Sequence, residues 1–204
     1  MKIVHIERLI DTGEVSSTPE WLKVKQDVIE AIDTIQWPAN SGSFTLYSGK
    51  KANGVVPIKK GCMEYLKSEG WMLEYRLKEI DTGKIDAAFH SNIGLFGFEW
   101  ETGNVSSSHR AVNKIALALY KEVIIGGIHV VPSKAMYDYI TDRIGNFPEL
   151  QPYFPLWRSF KVSITKGVFD MIVVEQDAVS YSVPPIPKGN DGNAKKNTGK
   201  IKKS

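Results

Sequence analysis

The segment Phe98-Glu99-Trp100-Glu101 alternates a ring with an acid. On a strand, neighbouring side chains point to opposite faces, so both carboxylates share one face and both rings share the other. The ring face needs a core. The acid face repels itself unless a cation lies beside it. A chain carrying this strand must therefore pack a sheet with one dry side and one charged corner. Upstream, Asp86 stands between Ile85 and Ala87, again an acid among apolar neighbours. If the two strands pair, three carboxylates converge on one spot, and hard oxygen donors of that kind suit Mg²⁺. Equally, a Glu-x-Glu can sit on a solvated strand face with a separate aspartate upstream.

The following segment favours the metal reading. Ser106, Ser107, Ser108, His109, Arg110 and Lys114 gather at the start of an expected helix over 107–121, capped by its serines. Backbone N–H groups and the helix dipole make such a start attractive to anions. A carboxylate–metal cluster beside it would suit phosphodiester cleavage. His109 reads as a surface histidine rather than a catalytic one.

Around this core the pattern gives helices and strands in alternation. Thr18 is the expected N-cap of a helix with Pro19 in its first turn, and Trp21, Val24, Val28, Ile32 and Ile35 form one apolar face. It ends at Trp37-Pro38. A short strand is expected over 44–47, and a helix over 57–70 with Ile58, Cys62, Tyr65 and Leu66 inward; Cys62 reads as a small core residue. Strands are expected over 85–89, 95–100, 123–131 and 162–175, the last broken at Gly167, and a helix runs from Ser133 to about Asn146. Helices flanking a mixed sheet make an α/β or α+β domain over residues 1–187.

The remainder, 188–204, holds six lysines against Asp191 alone, a local +5 in a chain of net +3, so the rest carries −2. Such a tail has little to bury. It either keeps the terminus soluble or meets a polyanion, releasing counterions as it does so. One cysteine in 204 residues excludes a disulfide framework. The apolar stretches are too short for a membrane span, and the charged opening MKIVHIERLID does not read as a secretory leader, so a cytoplasmic protein is expected.

The blocks WPANSGSFTL, NGVVPIKK, FEWETGNVSSSHRAVNK, YDYITDRIGNFPELQPYF and VPPIPKG, in this order, resemble the BamHI family of Type II restriction endonucleases, especially its shorter members with a basic end. The resemblance implies a PD-(D/E)xK nuclease core, a central mixed sheet flanked by helices. It also implies a homodimer acting with Mg²⁺ on double-stranded DNA at the palindrome GGATCC. It places Asp86, Glu99 and Glu101 in the active site. Glu74 joins them as a fourth acid, by the match of its preceding tryptophan, Trp71. Asp86, Glu99, Glu74 and the carbonyl of Trp100 would hold metal, while Glu101 would act on the attacking water, where many nucleases of this fold carry lysine. Lys59 would add charge near the scissile phosphate. Asn104, Ser106, Arg110, Asp142 and Arg143 would face the major groove, and Asp191, Gly192 and Asn193 of the tail the minor groove. An arginine fork fits guanine N7 and O6, and a carboxylate can accept from the cytosine amino group. Tyr120, Lys121, Pro155, Trp157 and Arg158 depart from the family's charged dimer contacts, and Asn193 departs from an apolar tail residue.

Overall fold

In the computed structural model, residues 1–101, 104–141 and 144–188 are described. Eight strands and six α-helices follow in the order β1 (Lys2–Thr12), α1 (Pro19–Asp33), β2 (Thr45–Tyr47), α2 (Val56–Ser68), β3 (Met72–Arg76), β4 (Lys84–Ser91), β5 (Gly94–Trp100), α3 (Val105–Tyr120), β6 (Gly126–Pro132), α4 (Lys134–Tyr137), α5 (Phe147–Leu150), α6 (Phe154–Ser159), β7 (Gly167–Glu175) and β8 (Ala178–Ser180). Six strands form one mixed sheet in the order β1-β7-β6-β5-β4-β3. Strands β5, β6 and β7 run parallel at its centre, and the outer pairings are antiparallel. A small parallel sheet joins β2 to β8.

The two faces of the sheet bury separate cores. Trp21, Val24, Val28 and Ile32 of α1 and Cys62 and Leu66 of α2 pack with Phe96, Phe98 and Trp100 on one face. Val112, Ile115 and Leu119 of α3 and Phe154 and Trp157 of α6 pack with Phe169, Met171 and Val173 on the other. The one-residue alternation along β5 and β7 assigns each ring to its side. Thr18 caps α1 as expected, accepting from the N–H of Trp21 at 3.2 Å. Burial pushes the Cys62 thiol up, in keeping with a core role.

Several elements differ from the expectation. The helix expected over 133–146 is the single turn α4, after which Asn53 and Ile140 form a β-bridge; a ladder contact there outcompetes the helical pattern. The strand expected from 162 begins only at Gly167, because residues Phe160–Ser163 close a 3-10 turn first. Strands β1, β3 and β8 and helices α5 and α6 were not evident from the pattern. The NG pair within NGVVPIKK has a structural task. Asn53, fully buried, joins Tyr47, Tyr139 and Ile186 through four hydrogen bonds of 2.9–3.2 Å. At Gly54 a Cβ would lie 2.0 Å from the carbonyl oxygen of Pro187, so only glycine lets the two segments touch.

Candidate active site

Strands β4 and β5 pair down to Ala87↔Phe98, and there the backbone ladder ends. Asp86 and Glu99 are the next residues on each strand. Instead of a carbonyl, the Asp86 carboxylate takes over: its Oδ2 accepts the N–H of Trp100 at 2.8 Å. Its Oδ1 accepts from the Lys59 ammonium of α2 at 2.8 Å. Glu99, buried on the α3 side, is bonded through Oε1 to the ammonium of Lys114, which also donates to the carbonyl of Lys84 at 2.6 Å. Burial, then the Asp86 charge, pushes the Glu99 carboxyl up to about 7 against the pull of Lys114. Glu101, just past β5, adds a further repulsion.

The expected convergence of three acids narrows, in this structure, to the Asp86–Glu99 pair. Among the described residues no three His, Cys, Asp or Glu side chains are grouped as a metal site. Like charges approach only when a cation intervenes, and here two ammonium groups do so. Glu74 lies between Leu73↔Ala87 and Tyr75↔Ile85, a register that sets it across from Asp86. Its φ of 50° is left-handed, an uncommon state for a non-glycine residue within a strand. Its carboxylate is largely exposed, 4.0 Å from Lys84 Nζ. The donors of Asp86 and Glu99 are hard oxygens of the kind Mg²⁺ takes, so they fit that ion, and the Trp100 carbonyl and Glu74 are further oxygen donors that would hold it.

Helix α3 starts immediately beyond. Its cap is Asn104, not a serine: Asn104 Oδ1 accepts the N–H of Ser107 at 3.1 Å. Ser106 and Arg110 are exposed on its first turns. With His109, Lys114, Asp81 and Thr82 they line a cleft of about 580 Å³. His109 is half-buried, its ring 4.5 Å from that of Tyr153 and 5.7 Å from that of Trp157. Asp142, Arg143, Asp191, Gly192 and Asn193 lie outside the described residues.

Two residues next to the acids escaped the sequence reading. Lys114 was placed among the donors at the helix start, yet its nine-residue offset from Val105 turns it inward to Glu99. His129 on β6 is fully buried; its Nδ1 lies 3.2 Å from the Glu99 carbonyl, and its Nε2 has no hydrogen-bond partner. Burial holds its imidazole down to about 4. An isolated His within GGIHVVP carries no signal of this.

These two buried groups oppose each other in acid. Glu99, ordinarily 4.5 and raised when folded, favours the fold below pH 4.5 and loses that contribution as pH rises through 7. His129, ordinarily 6.5 and depressed, favours the fold above 6.5 and loses that contribution as pH falls toward 4. The wild-type protein should therefore change little in stability between these pH values on their account. Glu99→Gln removes one slope, and its urea-unfolding free energy should fall by about 2 kcal/mol over the two pH units below 6.5 relative to wild type. A relative profile that stays flat would show that His129 is not held neutral.

The fold has a solved counterpart. A restriction endonuclease BglII structure in complex with a DNA 16-mer superposes with a TM-score of 0.58 at 12% identity, covering 87% of this chain and 79% of that one. The two chains share the mixed sheet between helices, which agrees with the nuclease core that the resemblance implied. Sequence narrows this to a family. The family model described as Restriction endonuclease BamHI matches residues 1–193. The Type II restriction enzyme OkrAI of Oceanobacter kriegii is 46% identical over 197 residues, covering 95% of this chain and 99% of the relative. The Type II restriction enzyme BamHI of Bacillus amyloliquefaciens is 38% identical over 181 residues, covering 81% and 80%. The chain belongs to the BamHI family of Type II restriction endonucleases, site-specific deoxyribonucleases of restriction–modification systems.

Proposed function

We propose that this endonuclease cuts double-stranded DNA at GGATCC, after the first G to leave a 5′ overhang, as a Mg²⁺-dependent homodimer in the cytoplasm. The observation that carries the chemistry is the Asp86–Glu99 pair, held side by side where the β4–β5 ladder ends, next to the start of α3. Two identities above 30% support the target class, and the DNA in the BglII neighbour agrees with it. No helix among the described residues is long and apolar enough to cross a membrane.

Asp86, Glu99, Glu74 and the Trp100 carbonyl would hold Mg²⁺, which when bound lowers the pKa of water and offsets charge gathering on the phosphate. Glu101 accepts the proton of the attacking water, the general-base role. Lys59 faces the acids from α2 and turns positive charge toward the scissile phosphate. Asn104, Ser106 and Arg110 read base edges from the exposed start of α3, with Asp142 and Arg143. Asp191, Gly192 and Asn193 follow the minor groove, and the lysines around them add salt-dependent affinity. Digesting a plasmid of known sequence with Mg²⁺ and sequencing the fragment ends tests the site and the stagger together. Ends at GGATCC with a four-base 5′ extension are expected; ends elsewhere would overturn the assignment.

A palindrome calls for a two-fold protein. Leu117 and Tyr120 of α3 and Leu156 of α6 are exposed apolar residues around a cleft of about 510 Å³. A second copy would bury this face. Trp157, by contrast, is buried in its own protomer with its indole N–H on Asn113 at 3.1 Å, so it belongs to the core. Leu156→Glu should shift the protein from dimer to monomer in sedimentation equilibrium without loss of its folded CD spectrum; a variant that remains dimeric would move the interface elsewhere.

A further inference from the structure

We propose that Lys114 is a positioning residue, an internal counter-cation that holds Glu99 ready as a ligand until a divalent ion shares its charge. This rests on the reading of Asp86 and Glu99 as the metal-holding pair. Lys114 sits on the buried face of α3, among Ala111, Val112, Ile115 and Ala118, and is only 9% exposed. A leucine would pack there at far lower cost, because a lysine is almost never buried without a partner. Its ammonium has two: the Glu99 carboxylate on β5 and the Lys84 carbonyl on β4, two residues before Asp86. It therefore ties together the two strand ends just where their own hydrogen bonds have stopped. The bond to Lys114 is made through Oε1 of Glu99.

With both acids ionised, the charges balance. Asp86 and Glu99 face Lys59 and Lys114, two of each sign. Removing the Lys114 charge leaves a buried carboxylate beside another, which is strongly unfavourable. A divalent ion at the pair would relieve that repulsion in a Lys114→Met protein more than in wild type, where lysine already does so.

The test is thermal unfolding of wild type, Lys114→Met, Lys114→Arg, Glu99→Gln and the double variant Glu99→Gln/Lys114→Met, each with EDTA and with Ca²⁺. In EDTA, Lys114→Met should melt about 5 °C or more below wild type, and Lys114→Arg close to it. In the Glu99→Gln background the same methionine should cost less than half as many degrees, because no buried charge is left without a partner. An equal cost in both backgrounds would reduce Lys114 to a packing residue and overturn the proposal. Ca²⁺ should raise the melting temperature of Lys114→Met at least twice as far as that of wild type. If both rise equally, the metal reading stands and the counter-cation role is overturned. If Ca²⁺ stabilises neither, the metal reading itself falls, and the handover with it.

Discussion

Asp86→Ala protein should bind DNA carrying the target sequence and cut it about a thousandfold more slowly, or not at all. Asp86 links three parts of the site. Its two oxygens hold the Lys59 ammonium and the Trp100 N–H, and its charge adds to burial in raising the Glu99 carboxyl. Alanine removes all three at once. The Trp100 peptide then loses its anchor, and the proposed metal site loses a ligand. The proposed DNA contacts of Asn104, Ser106 and Arg110 lie at the start of α3, whose cap and packing on the sheet are independent of Asp86. Electrophoretic mobility shift and single-turnover cleavage separate the two readouts. Binding should persist, and it should strengthen if the phosphates no longer meet the acid. Loss of specific binding together with cleavage would mean that Asp86 supports the fold rather than the chemistry.

The second large effect is on stability and lies far from the site. Arg8→Met should destabilise the protein by about 3–5 kcal/mol, near the upper range for one substitution. Asp170 lies in β7, flanked by β1 and β6, and is fully buried. The Arg8 guanidinium of β1 grips both its oxygens, through Nε and, at 3.1 Å, Nη2; Lys25 of α1 stands 3.6 Å away. Methionine keeps most of the volume but leaves the carboxylate with that one longer contact. For a chain of this size the loss is a fall of roughly 10 °C in melting temperature. Pairing it with Asp170→Leu should recover a good part, because a hydrophobic pair avoids the desolvation that the ions suffer. A double variant as unstable as Arg8→Met alone would show that packing, not the buried charge, sets the cost.

What could be read from the sequence, and what could not, follows from which forces act locally. Helix α1 was legible because Thr18, Pro19 and the Trp21–Ile32 stripe all agree within one segment. Alternation predicts that Glu99 and Glu101 share a face, but β5 ends at Trp100, and Glu101 lines a pocket with Val55, Ile58 and Trp100 while Glu99 turns to Lys114 of α3. Strand β1 was not legible: KIVHIERLIDT mixes charges on both faces because it is an edge strand whose polar residues meet partners distant in sequence, such as Asp170 for Arg8 and Arg158 for Glu7. The short α5 and α6 owe their existence to packing of Leu150, Phe154 and Trp157 on the sheet, not to a periodic stripe. At the site, Asp86 was legible as an acid among apolar neighbours, whereas Glu74 came only from the family resemblance; the β3–β4 register sets the two opposite each other. Lys114 and His129 were hidden because their meaning depends on which strand lies under α3 and β6, and no spacing in the sequence encodes that.

The central claim is that Asp86 and Glu99 together hold the divalent ion at the DNA. The direct measurement is a crystal structure of the protein with a GGATCC duplex and Mn²⁺, with anomalous scattering used to locate the metal. A peak within coordination distance of both carboxylates, against the phosphate between the two G residues, is the expected result. A Mn²⁺ peak bound to the phosphate but out of reach of either carboxylate would contradict the account.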